Sequence, residues 1–413
     1  MRHSDRMDSN SWVVRPLDED DLPDLFRLDN AAFHIDPPSD FLDDVVRPMV
    51  EIGRLTGVRD PESNGLLVGS AAVLSKDMTF PGRRAQPVAA VTFVAVRAGW
   101  RRRGILSALM RDQLHGLHER AGEAVAILTA SEGVIYGRYG YGRAMDSAEI
   151  QLPHGARFAG SVPTEPVRES DAATAAPLAR SLWERVAPAS TGHLSRTDGI
   201  WHARFAEHEF MRRGLSERRW AVHADGVVGY RVRPAWVDRD GRWTVVVTDL
   251  IAATPLAHAS LWRFVLDLDL TDRVEFPLGW TDDPVQDLLA DRRSLTLTPH
   301  DHVWLRIVDL DRAVSLRGYA TTTAVDVEVV DDFCPWNAGT WRLELSPDGG
   351  RVIRTGRSAE VRLHGRDLAA CFLGGTPLAR LLAGGLVTGS VDAAHRLGLA
   401  LSTPAAPWCP EGF

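Results

Sequence analysis

The chain has 413 residues, 45% hydrophobic and 25% charged, a globular composition that predicts roughly two or three domains and argues against disorder. A net charge of −8 and a pI near 6.0 speak against a general nucleic-acid binder, which carries a basic footprint, and mildly favour a cationic partner. Cys334, Cys371 and Cys409 are too few and too widely spaced for a disulfide framework or a zinc site. No apolar run is long enough to span a bilayer, so a reducing cytoplasm is the expected compartment.

The polar start MRHSDRMDSNSW lacks the apolar centre of a signal peptide. Val13 and Val14 then open a short strand. Acidic residues from Asp18 to Asp21 favour a helix start, and Leu22, Leu25, Phe26 and Leu28 give that helix an apolar face. GLLVGSAAVLS and RRAQPVAAVTFVAV read as strands. RRRGILSALMRDQLHGLHERAG reads as a helix, with Leu106, Met110 and Leu114 four residues apart and Gly122 ending it. AVAILTA is a continuously apolar strand suited to a sheet interior.

At Val167 and Arg168 the order of elements begins again. An acidic cap and an Ala/Leu helix follow, then the strand, turn and helix of RWTVVVTDLIAATPLAHASLWRFVLDL. The last part alternates short strands (AVDVEVVDD, GTWRLELSPDGG, RVIRTG, SAEVRLHG) with Gly and Asp turns, then turns helical, which makes an α+β module. The Pro-rich end STPAAPWCPEGF reads as extended.

One turn stands out chemically. After the strand that ends near Val96, Arg101, Arg102, Arg103 and Gly104 precede a helix. Unpaired N–H groups and a partial positive charge at a helix start, with fixed arginines and a glycine that allows close approach, suit a pyrophosphate; a solvated basic helix start is the alternative. No Gly-x-x-x-x-Gly-Lys loop, spaced-glycine dinucleotide fingerprint or Gly-x-Ser-x-Gly elbow occurs, and His300 to His302 has no third ligand at metal spacing, so no metal is expected. Further on, Tyr136, Tyr139 and Tyr141, three of the five tyrosines, fall within six residues. Ser131 reads as the N-cap of a short helix there, with Gly140 as its stop. Tyr139 and Tyr141 read as packing residues.

FVAV, then RRRG opening a helix, a buried strand and YGRYGY together resemble the GNAT acetyltransferase superfamily. With ASEGVIYGRYGYGRA, a second degenerate half, the α+β module and a terminal Phe, the chain resembles the Eis (enhanced intracellular survival) family throughout. The resemblance implies an α+β protein of three domains: a catalytic GNAT domain over 1–150, a GNAT-like domain without the CoA turn over 151–302, and a sterol-carrier-protein-like domain over 303–413 whose tail reaches the active site. It implies a cytoplasmic N-acetyltransferase that uses acetyl-CoA on amines of cationic small molecules, aminoglycosides at more than one position, and that assembles as a homohexamer.

By the same resemblance Arg101, Arg102 and Gly104 hold the pyrophosphate, Val94 and Val96 pair with the pantetheine arm, and Ser131 belongs with these cofactor-binding residues. Tyr136 protonates the departing thiolate and the Phe413 carboxylate assists deprotonation. A free α-carboxyl has a pKa near 3.5 and is an intrinsically poor base, so it would act through burial, through a water or by holding the ammonium. Phe33, Asp36 and Phe93 are the expected amine-pocket residues. Gly412 takes the family's acidic position before the terminal Phe, and Glu411, one residue earlier, is the acidic candidate. Transfer is expected to be direct, because no cysteine lies near these motifs. Two alternatives stand beside this: acetylation of protein or peptide amines, and a lipid or hydrophobic-ligand carrier working through the third domain.

Overall fold

The computed structural model describes residues 12–413 except 83, 238 and 239, so the polar start over 1–11 lies outside it. The first half comprises β1 (Val14–Pro16), α1 (Leu22–Phe33), α2 (Ser39–Phe41), β2 (Leu55–Asp60), β3 (Leu66–Phe80), β4 (Arg84–Val96), α3 (Ile105–Glu119), β5 (Val125–Thr129) and β6 (Gly142–Pro153). The acidic run works as a start signal: Asp18 and Asp21 form a reciprocal capping box just before α1. On α3, Leu109, Met110, Leu114 and Leu117 bury one face, and Ala121 and Gly122 follow its end, Ala121 at φ 48°.

The second half repeats the order with β7 (Arg168–Ser170), α4 (Ala172–Val186), α5 (Asp198–Phe205), α6 (Glu209–Arg212), β8 (Arg219–His223) and β9 (Gly226–Arg233). A short pair, β10 (Trp236–Val237) and β11 (Asp240–Gly241), precedes β12 (Trp243–Ala252), α7 (Pro255–Leu266), β13 (Thr271–Gly279), α8 (Val285–Leu288) and β14 (Thr296–Ile307). The third part has α9 (Leu310–Ala313), β15 (Thr323–Val330), β16 (Gly339–Ser346), β17 (Gly349–Arg354), β18 (Val361–His364), α10 (Gly365–Cys371), α11 (Leu378–Ala383), β19 (Thr388–Gly389) and α12 (Val391–Leu401).

The two halves share one sheet of 12 strands, ordered β1-β2-β3-β4-β5-β14-β6-β13-β12-β9-β8-β7. The order is pseudo-symmetric about its middle, so β1 matches β7, β4 matches β12 and β5 matches β13. The last strand of the second half, β14, inserts between β5 and β6 of the first and pairs with both. Neither half therefore has a complete sheet without the other. The boundary expected after residue 302 is corrected accordingly: it would cut β14, which runs on to Ile307 because its far end pairs with β5.

The third part carries its own sheet, ordered β17-β16-β15-β18-β19, and one hydrophobic cluster joins it to the large sheet. Helix α10 packs against β6 closely enough that a Cβ on Gly142 would strike the backbone of Arg366 and Ala370. The three-part α+β architecture is thus one packed body. Among the described residues no helix is long and apolar enough to cross a membrane, and all three cysteines are free and buried.

Candidate active site

Strands β4 and β5 run parallel but pair only at Ala89 with Ala126 and Ala90 with Ile127. Beyond that point they part, which leaves a slot in the sheet. A bulge sits on the β4 side of it: Thr92 faces Ala72 and Ala95 faces Ser70, so Phe93 and Val94 together oppose one residue of β3. Phe93 has φ 48°, an unusual conformation for an aromatic residue, and its carbonyl accepts the Ser70 hydroxyl at 2.9 Å. The bulge resets the alternation. Val94 joins the cluster of Ala89, Val91 and Tyr136, while Phe93 turns toward α1 and meets Phe26 at 6.4 Å between centroids.

At the end of β4 the arginine turn leads into α3. Arg102 has φ 63° and Gly104 φ 86°, and Gly104 precedes the first turn of α3. Two indoles fix the turn: Trp12 donates to the Arg103 carbonyl at 2.7 Å and Trp100 to Asp60 at 2.9 Å. Arg101 donates through Nε to the Val96 carbonyl at 3.4 Å, and among the described residues neither Arg101 nor Arg102 has an acidic partner. Both are exposed. Unpaired guanidinium groups beside free helix N–H groups fit a phosphate.

The tyrosines have three different environments. Tyr139 meets the Ser107 hydroxyl at 3.1 Å and packs on Phe333. Tyr141 is sealed, its hydroxyl has no partner among the described residues, and burial pushes its pKa up strongly. Tyr136 has its ring buried edge-on to Tyr141 at 5.9 Å, but its hydroxyl is neither enclosed nor bonded to any described residue. Burial, helped by Tyr139 and Glu132, raises its pKa to about 12, so the phenol keeps its proton throughout the neutral range. The wall behind these rings comes from the third part, through Phe333, Cys334 and Trp336. Gly140 has φ 82°, and a Cβ there would strike the buried guanidinium of Arg306, which pairs with Asp331 at 2.8 Å.

Ser131 is a correction. The only helical turn here is a 3-10 turn over Tyr136–Tyr139, which follows Ile135 and has no side-chain cap. Ser131 lies exposed five residues earlier, because the glycine-interrupted EGVIYG forms a bend and turn instead of a longer helix.

The C-terminal segment crosses the molecule and is held at almost every residue. The Trp408 indole donates to the Leu278 carbonyl at 3.0 Å, and the Trp408 carbonyl meets His193 Nδ1 at 3.2 Å. The Glu411 carbonyl meets Nε2 of the buried His302 at 2.8 Å. Finally the Thr129 hydroxyl, at the end of β5, donates to the Phe413 backbone oxygen at 3.1 Å.

Glu411 also departs from expectation. It does not face an amine pocket, because both carboxylate oxygens are taken inside the protein, one by Arg196 at 2.6 Å and one by Arg204 at 3.1 Å. Burial works to raise its pKa, but Arg204 and Arg196 override burial and hold it below the usual carboxylate range. Arg204 also pairs with Asp249, and Arg196 lies between the rings of Trp183 and Trp201, at 3.6 and 4.6 Å.

Tyr136 and Phe413 lie on opposite faces of the sheet. Tyr136 belongs with Ala126, Leu128 and α3, whereas Phe413 packs on the cluster that holds Val88, Ala90 and Ile127. The slot between β4 and β5 separates them.

On the remaining side, Phe33 is 46% exposed at the end of α1, and Asp36 is exposed three residues later. One acid that sequence reasoning missed is Asp29. It is half-buried on the same helix one turn before Phe33, has no hydrogen-bond partner among the described residues, and burial raises its pKa from 3.8 to about 6. Its signal was legible, since an acid at i+4 from Leu25 interrupts an otherwise apolar stripe. Thr129, Arg196, Arg204 and His302 gave no such signal, because each matters only through contact with a distant tail. No group of three or more His, Cys, Asp or Glu is placed to hold a metal among the described residues.

Residues 13–144 match an acetyltransferase (GNAT) domain family, residues 192–307 a second such family and residues 310–410 a sterol carrier protein domain. An uncharacterized N-acetyltransferase of Streptomyces avermitilis is 38% identical over 385 residues, spanning 88% of this chain and 90% of its own. The N-acetyltransferase Eis of Mycobacterium tuberculosis is 32% identical over 369 residues, spanning 86% and 88%. Among solved structures, that of Eis1 from Mycobacterium abscessus has a TM-score of 0.83 at 31% identity, covering 97% of this chain and all of its own.

Proposed function

Because the chain belongs to the Eis family of GNAT N-acetyltransferases, we propose that it moves the acetyl group of acetyl-CoA directly to amines of a cationic small molecule, aminoglycosides at more than one position. One observation carries this reading: the slot between β4 and β5 has the arginine turn and Tyr136 on one face and the Phe413 end of the tail on the other. A thioester threaded through such a slot is approached by the amine from one face and loses its thiolate on the other, so no enzyme-bound acyl group is needed.

Arg101, Arg102 and the first N–H groups of α3 would hold the pyrophosphate, and the strand edge around Val94 and Val96 would hold the pantetheine arm. Acetyl-CoA supplies an activated acyl group. Tyr136, protonated up to about pH 12, offers its O–H to the sulfur as negative charge develops. Complete proton transfer from such a phenol to a thiolate of ordinary pKa near 8.5 is uphill, so hydrogen-bond donation in the transition state is the larger part of its role. The Phe413 carboxylate, held by Thr129, accepts a proton from the ammonium or orients it through a water. Asp29, charged above about pH 6, draws the polycation by Coulomb attraction. Homohexameric assembly, which sedimentation velocity would test, belongs to the same proposal on the family relation.

The deciding assay measures thiol release from acetyl-CoA with a panel of aminoglycosides, polyamines and lysine peptides. Wild type should release thiol with aminoglycosides and leave products carrying more than one acetyl group. Tyr136→Phe, and a chain extended by a few glycines beyond Phe413, should each lower kcat by about 100-fold while the Kd for acetyl-CoA stays unchanged. Normal turnover by the extended chain would remove the terminal carboxylate from the mechanism. Thiol release with peptides alone would replace the small-molecule substrate.

A further inference from the structure

The second half keeps the geometry of the first but not its chemistry. Strand β12 pairs with β13 only as far as Val246 and Glu275, and beyond that point the two part as β4 and β5 do. It also carries a matching bulge at Thr248. The turn into α7 has no arginine. Thr254 caps the helix with its own hydroxyl, and Pro255 removes an N–H that a phosphate would need. Trp408 enters this second cleft from the tail, donating to Leu278 and packing edge-on against Phe276 at 6.3 Å.

Trp408 does not fill the cleft. A cavity of about 960 Å³ remains beside it, bounded by the end of β12, the segment after α4, the third domain and tail residues 402–406. That is far larger than a packing defect and matches pockets that enclose drug-sized molecules. Ala189, Pro255, Pro404 and Ala405 are exposed and form its rim. Among the described residues no arginine or lysine lines it, and the one carboxylate on its wall, Asp283, is engaged by His258 at 3.0 Å and by the Val285 N–H at 2.9 Å. The polar groups of Trp280, Tyr319, Ser402 and Thr403 are all spent on backbone carbonyls.

Two exceptions remain: the Thr191 hydroxyl, which makes no hydrogen bond among the described residues, and His193. Its Nδ1 faces the Trp408 carbonyl, which can only accept, so Nδ1 carries the proton. Burial pushes its pKa down to about 4, so the ring is neutral and Nε2 is a bare acceptor with no donor among the described residues.

We propose that this cavity binds a neutral, largely apolar small molecule bearing one hydrogen-bond donor, and that its occupant braces the tail ending at Phe413. Among the described residues charged ligands find no free countercharge on its walls, the turn into α7 gives CoA no phosphate grip, and an N–H or O–H donor finds His193. The brace follows from continuity, because residues 402–406 and Trp408 line the cavity and Phe413 lies five residues beyond Trp408. Any effect of the occupant on turnover rests on the reading of Phe413 above; binding itself does not.

The test uses full-length protein and N-phenyl-1-naphthylamine, a neutral aromatic amine of three rings with one N–H. Its emission should rise, and tryptophan emission fall, with saturation at one probe per chain. Ala253→Phe inside the cavity and Ala189→Trp at its exposed rim should each weaken binding at least tenfold, with Tm and acetyl-CoA affinity unchanged. Should Ala253→Phe fail to fold, the rim variant decides. Unsaturable binding, or undiminished binding in the variants that fold, overturns the site. Saturating probe should also slow release of Phe413 by carboxypeptidase A severalfold, and an unchanged rate overturns the brace.

Discussion

Replacing Glu411 with Gln removes the one carboxylate that ties the tail to two arginines. Arg204 keeps Asp249, but among the described residues Arg196 loses its only ion-pair partner, and both of its terminal nitrogens are already buried without hydrogen bonds. Breaking a buried pair from one side typically costs about 3–5 kcal/mol, and the retained Asp249 contact puts this case near the lower end. The loss falls on the tail, the element that Glu411 fastens. In Glu411→Gln, Phe413 release by carboxypeptidase A should accelerate by at least tenfold and kcat should drop by a similar factor. The Kd for acetyl-CoA should not move, since the arginine turn lies at the far end of β4. The stability difference also has a pH signature. A carboxyl whose folded pKa is depressed contributes fully above its ordinary 4.5 and loses that contribution as pH falls through the lower folded value, so wild type and variant should converge in Tm at strongly acidic pH. Wild-type carboxypeptidase resistance together with wild-type kcat in Glu411→Gln would refute the idea that this ionic cluster positions the terminus.

Three further outcomes follow from the same geometry. Arg101→Ala with Arg102→Ala should raise KM for acetyl-CoA by about tenfold or more with kcat little changed, whereas an unchanged KM would mean a merely solvated helix start. Asp29→Asn should stabilise the protein by roughly 3 kcal/mol at pH 7.5, the equivalent of moving a carboxyl from 3.8 to about 6, with the gain shrinking as pH falls below 6 and vanishing well below 3.8, where the acid is neutral folded or unfolded. The same variant should raise KM for polycations above pH 6 and not below, and calorimetry paired with kinetics checks both parts. Gly140→Ala should lose about 2 kcal/mol or more, from its φ of 82° and from contact with Arg306, as read by urea unfolding.

Local chemistry made much of this protein readable in one dimension. Apolar periodicity marked α1 and α3, the acidic run marked a helix start, and RRRG marked the turn into α3, because each depends on neighbours within a few residues. The separation of Tyr136 from its two neighbours was also anticipated from the motif. Contacts between distant segments decided the rest. The bulge at Phe93 has no sequence signature, since its positive φ is imposed by the register of β3 against β4. Ser131 was misread because a Ser before a mixed apolar stretch satisfies the cap rule, while the glycines around it favour a bend. Glu411 was assigned to substrate because proximity to a terminus in sequence says nothing about which cations wait there; Arg196 and Arg204 lie more than 200 residues earlier.

The elements and the arginine turn before α3 were legible in the chain alone, because backbone propensity, capping and charge act over one or two helical turns. The tertiary structure alone decided that β14 completes the first half, that the third part walls in the tyrosines, and that the tail ends at Thr129 across the sheet from Tyr136. Those outcomes depend on burial and ion pairing between residues hundreds of positions apart, where desolvation, not local preference, sets the energy.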